Sequence, residues 1–343
     1  MVTRINLALQ GGGAHGAFTW GVLDRLLQED RIEIAAVSGT SAGALNAAAL
    51  KAGLVQDGRA GARRALERLW LQVGSVHDLR LTAWMAQALP PVGVLNAWME
   101  AALPFSLTDA AALVTSPYQL GGFYRNPLEP VVRSLRFDQV CAKEGPELHI
   151  AATNVRTGKI KVFSGERVSG EAILASACLP TLFQAVEIAD ETGEMQAYWD
   201  GGYTGNPALY PLFAPHLPDD IVIVNINPLM RPEIPQSAQD IQNRINEISF
   251  NSALMRELRA ISFVKRLIAD GTMPKGAMKD VLVHMVADDA LMNSLSASSK
   301  LTPTPYLLHT LKEAGRAACA KFLAAHKGDL GSRATVDLVQ MFG

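Results

Sequence analysis

The 343-residue chain is short of several things that would mark a secreted, disordered or nucleic-acid-binding protein. It has 3 cysteines, Cys141, Cys178 and Cys319, far apart and not in Cys-x-x-Cys pairs. That argues against a disulfide framework and a thiolate metal site, and it fits a reducing compartment. Charge is sparse: 19% of residues are charged, and 31 Lys plus Arg against 33 Asp plus Glu leave a net charge of −2. No basic excess argues for nucleic acid. No long hydrophobic run is present. The longest uncharged stretch, Leu81 to Met99, contains Gln87, Pro90, Pro91 and Asn96, which makes it a poor membrane span. The opening Met1 to Gln10 is too short and too polar for an export signal and runs straight into glycines. What is abundant is apolar character, at 49%. This composition excludes a disordered or collagen-like chain. The expectation is a soluble, cytoplasmic protein, with peripheral contact to a membrane left open.

The order of elements points to a fold class. Ile5 to Leu9 reads as a buried strand, Gly11-Gly12-Gly13 breaks it, and Gly16 to Leu27 has helical spacing. Ile32 to Val37 reads as a second strand, running into Ser38-Gly39-Thr40-Ser41-Ala42-Gly43 and then an alanine-rich helix to about Ala52. Strand, turn, helix repeated in this way predicts a parallel sheet covered by helices, an α/β three-layer architecture. Ala62 to Val73 reads as a further helix. Leu148 to Thr153, Ile160 to Phe163, Gln184 to Ile188, Gln196 to Trp199, Ile221 to Ile226 and Val281 to Val286 read as strands, and Glu171 to Ala177 as a helix. Ala238 to Ile268 reads as a long amphipathic helix with Ile241, Ile245, Ile248, Met255, Leu258, Ile261 and Leu267 on one stripe, and Tyr306 to Ala325 as a last helix. At roughly 150 residues per domain the length allows one large domain or two. The reading is an α/β domain over 1–230 and a mostly helical C-terminal extension, 231–343, packed on it.

Three local patterns carry chemistry. Gly39-Thr40-Ser41-Ala42-Gly43 fits Gly-x-Ser-x-Gly between a strand and a helix, the context in which a sharp turn lifts a serine clear of a sheet. Ser41 is then a nucleophile at a helix N-terminus. The alternative is a serine that merely caps the helix. Gly11-Gly12-Gly13-Ala14-His15-Gly16 reads either as a dinucleotide fingerprint or as an oxyanion hole made of successive N–H groups. The first reading needs an acidic residue at the end of the second strand. That strand ends in Val37-Ser38-Gly39, so the second is preferred. Tyr198-Trp199-Asp200-Gly201-Gly202 ends an apolar strand in a carboxylate, which is either a base for Ser41 or an ordinary turn. None of the seven histidines sits in a catalytic setting by sequence, although the order Ser41, Asp200, His284 keeps a Ser-His-Asp α/β-hydrolase in play.

Taken together, Gly-Gly-Gly-x-x-Gly, Gly-x-Ser-x-Gly and Asp-Gly-Gly in that order resemble the patatin-like acyl hydrolases. Ala175-Ser176-Ala177-Cys178-Leu179-Pro180 is similar to the Ala-Ser-x-Ala-x-Pro stretch of that family. The resemblance spans residues 11 to 202. It implies a Ser41–Asp200 dyad, oxyanion N–H groups from Gly11, Gly12 and Gly13, and lipid acyl ester hydrolysis with neither metal nor cofactor. The family often has Arg or Lys inside the glycine loop where this chain has Ala14-His15. The implied activity is that of a phospholipase A, a lysophospholipase or a general esterase, and the implied partner is a lipid or acyl-ester substrate. A fold of this kind that binds lipid without turning it over is the non-enzymatic alternative. Self-association is left open.

Residues 79–124 form an apolar insertion carrying Trp84 and Trp98, read either as a substrate-capturing cover over the site or as ordinary core. A carboxylate is a weak base for a serine hydroxyl, so Asp200 is expected to gain basicity from partial burial beside Trp199 and Tyr203.

Overall fold

A computed structural model describes residues 2–76, 116–274, 276–296 and 298–342. Trp84, Trp98, His77 and most of the 79–124 insertion lie outside these residues. The described strands form one sheet: β1 (Thr3–Leu9), β2 (Ile32–Thr40), β3 (Glu147–Asn154), β4 (Ile160–Ser164), β5 (Val186–Ala189), β6 (Met195–Asp200), β7 (Asp220–Val224) and β8 (Leu282–Val286). The order across it is β5-β6-β3-β2-β1-β7-β8, with β4 on β3. The β3-β2-β1-β7-β8 part is parallel, and β4, β5 and β6 join through antiparallel pairs.

Alternation along the strands sorts the two apolar faces. Ile5, Leu7 and Leu9 of β1 and Val222 and Val224 of β7 point to one core, covered by α1 (Gly16–Leu26), α2 (Ala42–Gly74) and a helix from the C-terminal part, Pro305–His326. Ala8, Ile221 and Ile223 point to the other, covered by Leu254, Leu258 and Ile261 of Ala238–Ala269. The expected three layers are therefore present. Residues beyond 230 supply a strand of the sheet and helices to both of its faces.

Two of the departures from the sequence reading bear on the site. β2 runs on to Thr40, through residues expected to be turn, because both of its edges are paired there: Gly39 with Leu9 of β1 and Thr40 with Ala151 of β3. The long helix Ala238–Ala269 buries only the later part of its expected stripe. Ile241, Ile245 and Ile248 are 43%, 54% and 55% exposed. The inward positions of its first half are Glu247 and Asn251, both buried, so a polar side faces the molecule there. Among the described residues no helix is long and apolar enough to cross a membrane.

Candidate active site

Strand register brings the serine turn and the aspartate together. Along one edge of β3, Ala151 pairs with Thr40, the last residue of β2, and the next residue, Ala152, pairs with Asp200, the last residue of β6. β4 occupies the opposite edge over the same residues, so β2 and β6 must meet end to end. Ser41 follows Thr40 and therefore emerges beside Asp200.

Ser41 has φ 55° and ψ −122°, a left-handed conformation adopted by no other non-glycine residue among those described. Such geometry costs on the order of 1–3 kcal/mol and persists only where its surroundings fix it. Here the Ser41 N–H donates to Ser176 Oγ at 2.9 Å, and Ser176 Oγ donates to the Ala151 carbonyl at 2.6 Å. The Ser41 carbonyl accepts from Ala44 and Leu45 at 2.9 and 3.2 Å, opening α2. The flanking glycines are required by close approach. A methyl at position 39 would lie 2.5 Å from the Gly43 carbonyl oxygen, and one at 43 would lie 2.1 Å from the Leu9 carbonyl oxygen.

Asp200 is 1% exposed. Its Oδ1 accepts the Gly202 N–H at 2.7 Å. Among the described residues its Oδ2 has no partner of ordinary hydrogen-bond geometry, although the Ser41 hydroxyl acts on the carboxyl in the direction that favours its charged form. Burial outweighs both contacts and pushes the Asp200 acid up to about 7. The expected gain in basicity is thus present, with complete burial in place of the partial burial foreseen. Tyr203, stacked edge-on against Phe250 at 5.2 Å, contributes to this enclosure, and its own hydroxyl is pushed up to about 12 by burial and by the Asp200 charge.

The glycine loop lies against the serine: a methyl at Gly11 would be 2.5 Å from Ser41 Cβ. Gly11 is held on both sides, its N–H donating to Asn206 Oδ1 at 2.7 Å and its carbonyl accepting from Asn227 Nδ2 at 2.8 Å. The Gly11 N–H is thereby committed, which corrects the expectation that all three glycines donate to an oxyanion. Gly12 and Gly13 have N–H groups without a partner among the described residues, and Gly13 takes φ +59°. Behind the loop, Gln10 Oε1 accepts from Ile226 N and Asn227 N at 2.8 and 3.0 Å, and its amide donates to Asn251 Oδ1 at 3.2 Å.

His15 and His284, the two histidines that the sequence set nearest this chemistry, are engaged elsewhere. His15, inside the glycine loop, is 2% exposed, and burial with the nearby Lys300 and Arg231 charges brings it down to about 3. Ser299 Oγ donates to Ser296 O at 2.5 Å, so it must accept from His15 Nε2, at 2.7 Å, and the ring is neutral with its proton on Nε2. His284 pairs in register with Val222, which faces Leu7, which faces Val37. It is three strands across from β2 and four residues short of Ser41, roughly 14 Å and 13 Å at ordinary spacings. Its Nε2 is engaged with Asp220 Oδ1 at 2.9 Å instead. The Ser-His-Asp arrangement is therefore not assembled. Among the described residues no group of three His, Cys, Asp or Glu side chains is placed to hold a metal ion.

Sequence reasoning missed Gln10, Asn206, Asn227 and Lys300 as supports of the loop. The one signal on offer was polar residues directly following buried strands, as at Gln10 and at Asn225-Ile226-Asn227.

A family model described as patatin-like phospholipase matches residues 7–213. Three solved structures match the chain at low identity and low TM-score. VipD from Legionella pneumophila is 16% identical at a TM-score of 0.42, over 94% of this chain and 67% of that one. The type III effector protein ExoU is 18% identical at 0.36, over 95% and 54%. Human GIVD cytosolic phospholipase A2, in complex with methyl gamma-linolenyl fluorophosphonate, is 16% identical at 0.40, over 96% and 59%. No curated protein sequence matches the chain.

Proposed function

The chain belongs to the patatin-like phospholipase family, and from that premise we propose that it hydrolyses carboxylic esters of lipids by a Ser41–Asp200 dyad through an acyl-enzyme. The observation that carries this reading is the end-to-end register of β2 and β6 on β3, which sets a buried carboxylate, with no cation partner among the described residues, beside the strained serine. Asp200 takes the Ser41 hydroxyl proton as the oxygen attacks the ester carbonyl. The oxyanion that forms is held by the Gly12 and Gly13 N–H groups, and the proton passes from Asp200 to the departing alcohol. Water then repeats the sequence on the acyl-enzyme, with Asp200 again accepting the proton. A base that titrates near 7 is matched to neutral operation.

The substrate class is a phospholipid, a lysophospholipid or a simpler acyl ester. The test is intact-mass spectrometry after a fluorophosphonate ester, on wild type, Ser41→Ala and Asp200→Asn, each checked for folding by circular dichroism. One adduct on wild type, absent from Ser41→Ala and slowed in Asp200→Asn, supports the dyad. An adduct that persists in folded Ser41→Ala overturns it.

A further inference from the structure

Lys300 belongs to the C-terminal part of the chain, far in sequence from every motif, yet its ammonium is set behind the glycine loop. Its side chain is 21% exposed. Nζ donates to Asn227 Oδ1 at 3.0 Å and lies 3.9 Å from Glu247 Oε1. Glu247 is already shared, with Arg231 at 2.7 Å on each of its oxygens and Arg244 at 3.3 Å. The direct partner of Lys300 is therefore the asparagine. Burial pushes the pKa of the ammonium below its ordinary range, with the Glu247 charge opposing that shift and the Arg231 charge adding to it.

The chemistry of that contact fixes an orientation. An ammonium offers donors and no acceptor, so the Asn227 amide must turn its oxygen to Lys300 and its NH2 away. The NH2 so directed donates to the Gly11 carbonyl at 2.8 Å and to Gln10 Oε1 at 3.3 Å. A flipped amide would set NH2 against ammonium and leave the Gly11 carbonyl without this donor. The same segment touches the loop twice more. The Lys300 carbonyl is so close to Gly13 that a methyl there would lie 2.2 Å from it, and Ser299 Oγ accepts from His15.

We propose that Lys300 is a positioning residue: through Asn227 it holds Gly11 and thereby sets where the Gly12 and Gly13 N–H groups point. This rests on the esterase reading above, in which those two groups receive the oxyanion. The C-terminal part is then a working component of the oxyanion site. A loop displaced by about 1 Å costs on the order of a hundredfold in rate. Such a loss falls on the transition state, where the oxyanion exists, and spares ground-state binding.

The experiment compares wild type, Lys300→Met, Asn227→Ala and the double variant. The measurements are turnover of a short-chain p-nitrophenyl ester, fluorophosphonate labelling of Ser41, and affinity for a trifluoromethyl ketone, whose adduct with the serine carries an oxyanion. The expected result is a roughly ten- to hundredfold fall in kcat in Lys300→Met. KM should stay within about twofold, ketone affinity should fall in step with kcat, and the double variant should be no worse than Asn227→Ala. Should Lys300→Met fail to fold, Asn227→Ala decides by the same readouts. Unchanged kcat in a folded variant, a loss confined to KM, or additive losses in the double variant overturn the proposal while leaving the dyad intact. A wild type that neither labels at Ser41 nor turns over the ester overturns the esterase reading itself.

Discussion

Ser176 Oγ accepts the Ser41 backbone N–H at 2.9 Å while donating to the Ala151 carbonyl at 2.6 Å. One hydroxyl thus ties the strained serine to β3, the strand whose register places Asp200. It also occupies the Ser41 N–H, so that group is not offered to substrate. Ser176→Ala leaves both backbone groups unpaired in a buried place, which costs about 1–3 kcal/mol. We expect unfolding in urea to give a free energy lower by that amount, read as a lower midpoint at unchanged slope, and slower fluorophosphonate labelling. A variant as stable and as quickly labelled as wild type would show the contact to be idle.

Asp200 gives a pH signature in both activity and stability. Its carboxyl titrates near 7 when folded, above the ordinary range of an aspartic acid near 4. In the proposed dyad it acts in its ionised form, so kcat/KM should rise with pH and level off above about 7. The stability effect has the opposite slope. Between about pH 4 and 7 the folded protein holds a proton that the unfolded chain releases, so this group's contribution to stability falls as pH rises through that window. At about 1.4 kcal/mol per unit the total approaches 4 kcal/mol. Asp200→Asn should therefore be inactive yet more stable than wild type at pH 8, with the difference vanishing near pH 4. Thermal melts across pH check it, and an acidic limb near pH 4 would contradict the burial argument.

Gly43 and Gly58 form a matched test of the elbow. A methyl at 43 meets the Leu9 carbonyl at 2.1 Å, whereas one at 58, where φ is +53°, meets nothing within 4 Å. Gly58→Ala should cost about 1–2 kcal/mol from conformation alone. Gly43→Ala should cost about 4 kcal/mol or more and abolish labelling, because backbone rather than a side chain must give way. Equal melting temperatures for the two variants would show that the elbow tolerates displacement.

His284→Gln tests the separation of the histidine from the serine. The ring is fully buried, with Asp220 Oδ1 at 2.9 Å and Thr335 Oγ1 at 3.1 Å. Removing it should destabilise the fold by about 2–3 kcal/mol, the cost of a buried partner left unmatched. Turnover per folded molecule should stay within about twofold, because the ring lies three strands across the sheet and four residues along it from Ser41. A folded variant without turnover would restore a triad.

The amphipathic helix Ala238–Ala269 shows how far periodicity reaches. The sequence marked the helix and its apolar stripe, but which side faces inward was settled by the buried demands of Glu247 and Asn251. The inward side of the first half is polar because it must supply partners to Arg231 and to Gln10. No local pattern of apolar residues encodes that requirement.

What the sequence determined by itself was local: a strand followed by three glycines, a serine between two glycines at a strand-to-helix turn, and an aspartate before two glycines. These are contiguous patterns whose sterics are decided within a few residues, so they are legible without a fold. Tertiary structure decided what those pieces can do. The Asp200 carboxyl comes beside Ser41 because β6 abuts β2 on a shared edge of β3, and it titrates near 7 because the surrounding protein removes water from it. The Gly11 N–H is spent on Asn206, His15 is held neutral by burial and by the charges of Lys300 and Arg231, and Lys300 orients the amide that clamps the loop. Each of these depends on a hydrogen bond or a loss of solvent between residues distant in the chain, and such pairings are set by register and packing.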